Sequence, residues 1–112
     1  VQLEDTAWAN GILEAGNAWQ ANHLPAVNPN YLTVSIETED LGNNNQTVTV
    51  AQYATVLANC RLAMNMYPTI TYLLGHRDIS PHTRPNCPGA RWIGSGMFAR
   101  LAAELGLTTL ST

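Results

Sequence analysis

An α/β fold is the class this sequence predicts, and three observations carry it. Residues 31–39 alternate apolar and polar side chains, Val50–Met66 repeat apolar ones at helical spacing, and residues 69–74 form a short apolar run. Strand, helix and strand in that order fit a right-handed crossover, which lays helices on a sheet. At 112 residues the chain has the size of one domain and can bury a core.

Residues 1–3 look like the tail of a strand, and residues 4–11 turn, carrying Trp8 and Asn10 close together. The sequence opens on Val-Gln-Leu without a Met, which leads us to expect a fragment, a processed chain or a trimmed one. Residues 11–29 are rich in Gly, Asn, Ala and Pro and read as an irregular excursion carrying Trp19 and His23. Irregular stretches of that length are usually functional or mobile. His23 itself reads as a surface histidine.

The run 31–39, Y-L-T-V-S-I-E-T-E, is the clearest strand by pattern. Leu32, Val34 and Ile36 fall on one face, and Tyr31, Thr33, Ser35 and Glu37 on the other. Glu37 is therefore a working carboxylate at a strand end, or one member of a solvated acidic end with Glu39 and Asp40. Residues 41–46, L-G-N-N-N-Q, are a loop by composition. Thr49 and Gln52 have the spacing of a capping box, so a helix is expected over Val50–Met66. Tyr53, Leu57, Cys60, Met64 and Tyr67 give it one apolar stripe, and Pro68 ends it. The apolar run 69–74 is expected to be a central strand. A second helix is expected over 90–105, weakened by Gly94 and Gly96 and capped by Gly106, with 107–112 as a tail.

Hydrophobic residues make up 46% of the chain, which argues against disorder. All five basic residues are arginines, spread without a stripe, and the net charge is −3, so nucleic acid is not an expected partner. No apolar run is long enough to cross a membrane.

Between the short strand and the second helix lies the stretch the rest is arranged around: residues 75–89, G-H-R-D-I-S-P-H-T-R-P-N-C-P-G. His76, His82 and Cys87 offer imidazole nitrogen and thiolate sulfur, the donors zinc prefers. No C-x-x-C or H-E-x-x-H spacing is present, so a proline-ridged surface loop with a buried thiol stays open beside the metal site. Two cysteines make no disulfide framework. A Cys60–Cys87 bridge is open, but a structural Cys60 inside the helix and a functional Cys87 in the loop is the preferred division. His76 and Glu37 would both stand at carboxyl ends of strands, where open α/β sheets carry their sites.

G-H-R-D-I-S-P followed by C-P-G, preceded by N-x-x-T-V-S-I-E and D-T-A-W, resembles the type 2 N-acetylmuramoyl-L-alanine amidases, the family of phage endolysins, bacterial autolysins and peptidoglycan-recognition proteins. The resemblance runs from Leu3 to about Trp92. It implies a mixed central β-sheet flanked by helices, with residues 1–112 forming the C-terminal two-thirds of a single amidase domain. It implies zinc held by His76 and Cys87, with the first zinc histidine supplied by an upstream segment of the same protein. Glu37 corresponds to the family's acidic catalytic residue. Arg84 is the nearest match to the group that polarises the scissile carbonyl, with His82 as its competitor. The segment A-W-H of the family reads Ala7-Trp8-Ala9-Asn10 here, so Trp8 and Asn10, with His82, are the substrate-facing candidates. Arg77 and Asp78 are expected to hold the loop and orient His76.

The implied reaction is zinc-dependent hydrolysis of the amide between N-acetylmuramic acid and L-alanine in peptidoglycan. The implied location is secreted, in the cell wall, or phage-encoded and released at lysis. The rival reading is a peptidoglycan-recognition module that grips the stem peptide without cutting it; a small structural zinc domain is a third.

Overall fold

The computed structural model describes residues 13–25, 28–38 and 47–110. Among these it has three α-helices, two 3-10 turns and a two-stranded parallel sheet, an α/β composition. The described chain divides into two units: one from residues 13–25, 28–35, 74–87 and 110, the other from residues 36–38, 47–73 and 88–109.

The second unit is built on helix α2, Val50–Met66. It begins where the capping pair predicts. The Gln52 backbone N–H donates to Thr49 Oγ1 at 3.0 Å, and the Thr49 N–H donates to Gln52 Oε1 at 3.3 Å, so two orphan donors of the first turn are satisfied. It stops at Met66, just before Pro68, and the Tyr67 N–H closes back on Ala63 O. The buried seam is Tyr53, Val56, Cys60 and Ala63. Leu57, Met64 and Tyr67 of the expected stripe are only half-buried. The seam is thus turned toward Val56 and the small Ala63. A helix apolar on several faces leaves the choice of seam to its neighbours, and Val50, Leu62 and Met66 remain exposed on α2.

Helix α3 spans Met97–Leu105, shorter than the 90–105 the sequence predicts. Residues 90–96 are consecutive turns, with Trp92 and Ile93 N–H both donating to Gly89 O and Gly96 N–H donating to Ile93 O. Gly96 has φ of 80°, a left-handed value that stops a helix from running through it. At the other end Gly106 caps α3 as expected, with φ of 68° and its N–H on the Ala102 and Ala103 carbonyls.

Strands β1, Tyr72–Leu73, and β2, Thr108–Thr109, pair in parallel with Tyr72 opposite Thr108 and Leu73 opposite Thr109. A parallel pair needs a crossover, and α3 lies within it. The strand–helix–strand arrangement therefore falls one step later in the chain than expected, around α3 in place of α2. Two expectations are corrected here. Residues 69–74 contribute two strand residues with one partner, not a central strand, and Tyr72 is 40% exposed. The tail 107–112 contains β2. Val48, Tyr53, Val56, Cys60, Trp92 and Leu101 form the core of this unit, with Leu57, Leu73, Met97, Phe98 and Leu105 packed against it. Trp92 and Tyr53 meet with ring centroids 6.4 Å apart, and its indole N–H donates to Thr38 Oγ1 at 3.3 Å.

The first unit buries polar side chains beside apolar ones, Asn17, Asn30, Asp78 and Ser80 with Ala18, Trp19, Pro29 and Ile79. Helix α1, Ala18–Ala21, is capped by Asn17, whose Oδ1 accepts from the Gln20 N–H at 2.7 Å. Trp19 is buried, its indole N–H donating to Pro25 O at 2.7 Å. The excursion 11–29 is thus more ordered over its described part than its composition suggests. His23 is exposed, in a left-handed conformation with φ of 63°.

The expected strand over 31–39 is not formed among its described residues. Pro29–Tyr31 is a 3-10 turn. Asn28 Oδ1 accepts from the backbone and side chain of Asn30, and Thr33 Oγ1 reaches back to Pro29 O at 2.9 Å. Proline at the first turn position with an Asn cap favours the turn. Residues 33–38 have no ladder partner among the described residues, and a strand exists only as one side of a ladder. Leu32 and Ile36, on the face expected to be buried, are 54% and 40% exposed.

Candidate active-site loop

The loop opens with a tight turn. His76–Asp78 form a 3-10 turn in which the Gly75 N–H donates to Asp78 Oδ2 at 2.8 Å and the Asp78 N–H donates to Gly75 O at 3.0 Å. Asp78 is 5% exposed, and burial pushes its carboxyl above the usual range while the Gly75 amide opposes that shift. Its contact supports the expectation that Asp78 holds the loop. A second closure joins the far end: the Arg77 N–H donates to Cys87 O at 3.1 Å. His76 and Cys87 are thereby carried at the two ends of a loop closed by one backbone hydrogen bond.

Between these ends the chain turns twice more. Arg84 N–H donates to Ser80 O at 2.8 Å, and Cys87 N–H donates to Arg84 O at 3.3 Å. Arg84 is exposed, with Nη1 donating to Thr83 O at 2.9 Å. A guanidinium has five N–H donors, so one such contact leaves it competent to bind an anion.

His82 is exposed, and its Nε2 is 2.9 Å from Ala15 O. A carbonyl oxygen only accepts, so Nε2 carries the hydrogen. Beside it stands a contact that the sequence reading missed. Glu14 Oε1 accepts from the His82 and Thr83 backbone N–H groups at 2.9 and 3.1 Å, and Oε2 accepts from Thr83 Oγ1 at 3.0 Å. The Thr83 amide beside Glu14 holds its carboxyl below the usual range, helped by the Thr83 hydroxyl and the His82 amide and opposed by partial desolvation. The one available signal was negative: a polar turn with successive N–H groups needs acceptors from somewhere.

Cys60 is buried, as expected of a structural thiol. Both cysteines are free thiols; Cys87 is exposed, while Cys60 is buried in the other unit, where burial pushes its thiol up. The Cys60–Cys87 bridge left open by the sequence is not made.

Glu37 belongs to the second unit. It is exposed and lines a groove of about 310 Å³ together with Ile36, Thr38, Gln52, Thr55 and Asn59. Its expected position at a strand end is corrected: it lies on a segment that forms no strand among the described residues. Trp8 and Asn10 lie outside the described residues, as do the expected strand 1–3 and the loop 41–46. Among the described residues no group of three or more His, Cys, Asp or Glu stands close enough to hold a metal ion. No described helix is long and apolar enough to cross a membrane.

No family model, curated protein or solved structure matches this chain.

Proposed function

We propose that this chain carries the catalytic loop of a zinc-dependent amidase that cuts the bond between N-acetylmuramic acid and L-alanine in peptidoglycan, in an amidase-like domain with a mixed sheet flanked by helices. The observation that carries the reading is the Arg77 N–H···O=C Cys87 closure, which ties together the two ends of the G-H-R-D…C-P-G stretch. An imidazole and a thiolate suit zinc, and a catalytic zinc takes three protein ligands. His76 and Cys87 would supply two. The resemblance assigns the third to a histidine on an upstream segment.

Zinc, when bound, supplies a Lewis acid and brings the pKa of its water to about 7. The remaining work falls to this chain's own residues. Glu37 accepts the proton of the attacking water and passes it to the leaving amine of L-alanine, base and then acid. Arg84 donates N–H groups to the oxyanion of the tetrahedral intermediate. The commitment of His82 Nε2–H to Ala15 O favours Arg84 over His82 for that task.

The test uses the protein loaded with zinc and given purified peptidoglycan, scored by newly exposed L-alanine amino groups. Cys87→Ser should lose most of its zinc and activity. Glu37→Gln should keep zinc and fold while turnover falls by about 10²–10⁴-fold, the usual worth of general acid–base catalysis. Unchanged zinc content in Cys87→Ser, or near-normal turnover in Glu37→Gln, sinks the respective assignment. Binding of peptidoglycan without any cleavage would assign the chain to recognition.

A further inference from the structure

The turn that carries His82 is gripped by two consecutive residues of the excursion that precedes α1. Glu14 takes the backbone N–H groups of His82 and Thr83 on one carboxylate oxygen and the Thr83 hydroxyl on the other. Ala15 takes the imidazole through Nε2. The grip is anchored in turn, because the Glu14 N–H donates to Ile79 O at 3.0 Å and Asn17 Nδ2 donates to Glu14 O at 2.6 Å. Both the backbone of His82 and one nitrogen of its ring are therefore fixed from the same short segment.

This fixes chemistry as well as position. With the hydrogen on Nε2, the neutral ring has a lone pair on Nδ1. The tautomer is set by the hydrogen bond at the other nitrogen. Such a ring cannot donate to an oxyanion through Nδ1; it can only accept. Muramyl peptides are rich in the complementary groups: peptide N–H, acetamido N–H and sugar hydroxyls.

We propose that Glu14 is a positioning residue that, with Ala15, clasps the Pro81–Thr83 turn so that His82 presents Nδ1 as an acceptor for a donor N–H or O–H of the substrate. The substrate half of this inference rests on the amidase reading; the clasp does not. Glu14 touches no reacting atom and acts through His82. Substrate recognition, not the chemical step, is where its loss is felt.

The experiment pairs ring and amide NMR with kinetics on the zinc-loaded protein, using N-acetylmuramoyl-L-alanyl-D-isoglutamine as the soluble probe. The wild-type His82 ring should show the Nε2–H tautomer, and its Nδ1 resonance should move on adding the probe. In Glu14→Ala the His82 and Thr83 amides should exchange at least about tenfold faster, and KM should rise about tenfold with kcat little changed, the scale of one lost hydrogen bond. Glu14→Gln, which keeps one acceptor oxygen, should restore part of both. Thr83→Val removes only the hydroxyl contact and should move both readouts the same way by less, which decides the matter if Glu14→Ala fails to fold. An Nδ1–H tautomer in the wild type, or unchanged exchange and KM in these variants, overturns the clasp. A probe that neither binds nor is cleaved overturns the amidase reading and the substrate half with it, while tautomer and exchange still decide the clasp.

Discussion

The unit built on α2 and α3 hides Val48, Tyr53, Val56, Cys60, Trp92 and Leu101 from water. The unit that carries His76, His82 and Cys87 hides Asn17, Asn30, Asp78 and Ser80 beside Ala18, Trp19, Pro29 and Ile79. A buried apolar side chain is stabilised by the area it removes from water and tolerates small shifts. A buried amide or carboxylate is tolerable only with its partners in place. The first kind of interior yields to cavities, and the second to the loss of one acceptor. The candidate loop sits in the second kind, where geometry is set bond by bond.

The largest effect expected from any single change tests the apolar unit. Trp92→Ala removes the indole from its contact with Tyr53 and leaves a cavity, at a cost of about 3–5 kcal/mol. Against a typical total of about 5–15 kcal/mol, the urea midpoint should fall steeply. A drop under about 1 kcal/mol would mean that the core does not rest on this residue.

Next comes the polar counterpart. Asn17→Ala removes the cap on Gln20 and the amide on Glu14 O, and a buried group left without its partner costs about 1–3 kcal/mol. The contrast predicts that amide exchange accelerates around α1 and the His82 turn while the α2 amides keep their protection. Uniform acceleration would show that the two interiors do not respond separately.

Thr49→Ala deletes half of the capping box and should cost about 1 kcal/mol, visible as fraying of the first turn of α2. Gly in the same place should cost less, because glycine is tolerated as a cap.

The smallest effect is one of pH. The folded Glu14 carboxyl lies below its unfolded value, held there first by the Thr83 amide and then by the Thr83 hydroxyl and the His82 amide. A depressed acid adds stability that is fully present above the unfolded pKa and is lost as pH falls through the folded one. The His82 and Thr83 amides should therefore lose protection on the acid side of the carboxylate range, and Glu14→Gln should abolish that dependence.

How much of this was legible follows the same division. The capping box at Thr49 and Gln52, the stop before Pro68 and the Gly106 cap could be read because each is a local signal, complete within a few residues. The strand over 31–39 could not, because its alternation is local but a ladder needs a partner, while Asn28 and Pro29 supplied a competing turn. The turns over 90–96 could not be read, since Gly94 and Gly96 weaken a helix without saying where it begins. The ends of the candidate loop, His76 and Cys87, were legible as a motif. Glu14 was not, because a carboxylate that serves amides 68 and 69 residues away leaves no periodicity behind.

Each unit also carries its own buried indole. Trp19 is 4% exposed with its N–H on a carbonyl, and Trp92 is 5% exposed beside a tyrosine ring. Opening either interior brings one of them into water, and an indole's emission moves to the red when that happens. With the third tryptophan, Trp8, changed to Phe, the protein becomes a two-channel optical gauge: Trp19→Phe leaves a reporter of the apolar interior, and Trp92→Phe leaves one of the polar interior. Partial opening of the polar unit, the kind of sub-global event that equilibrium unfolding averages away, then has a colour of its own.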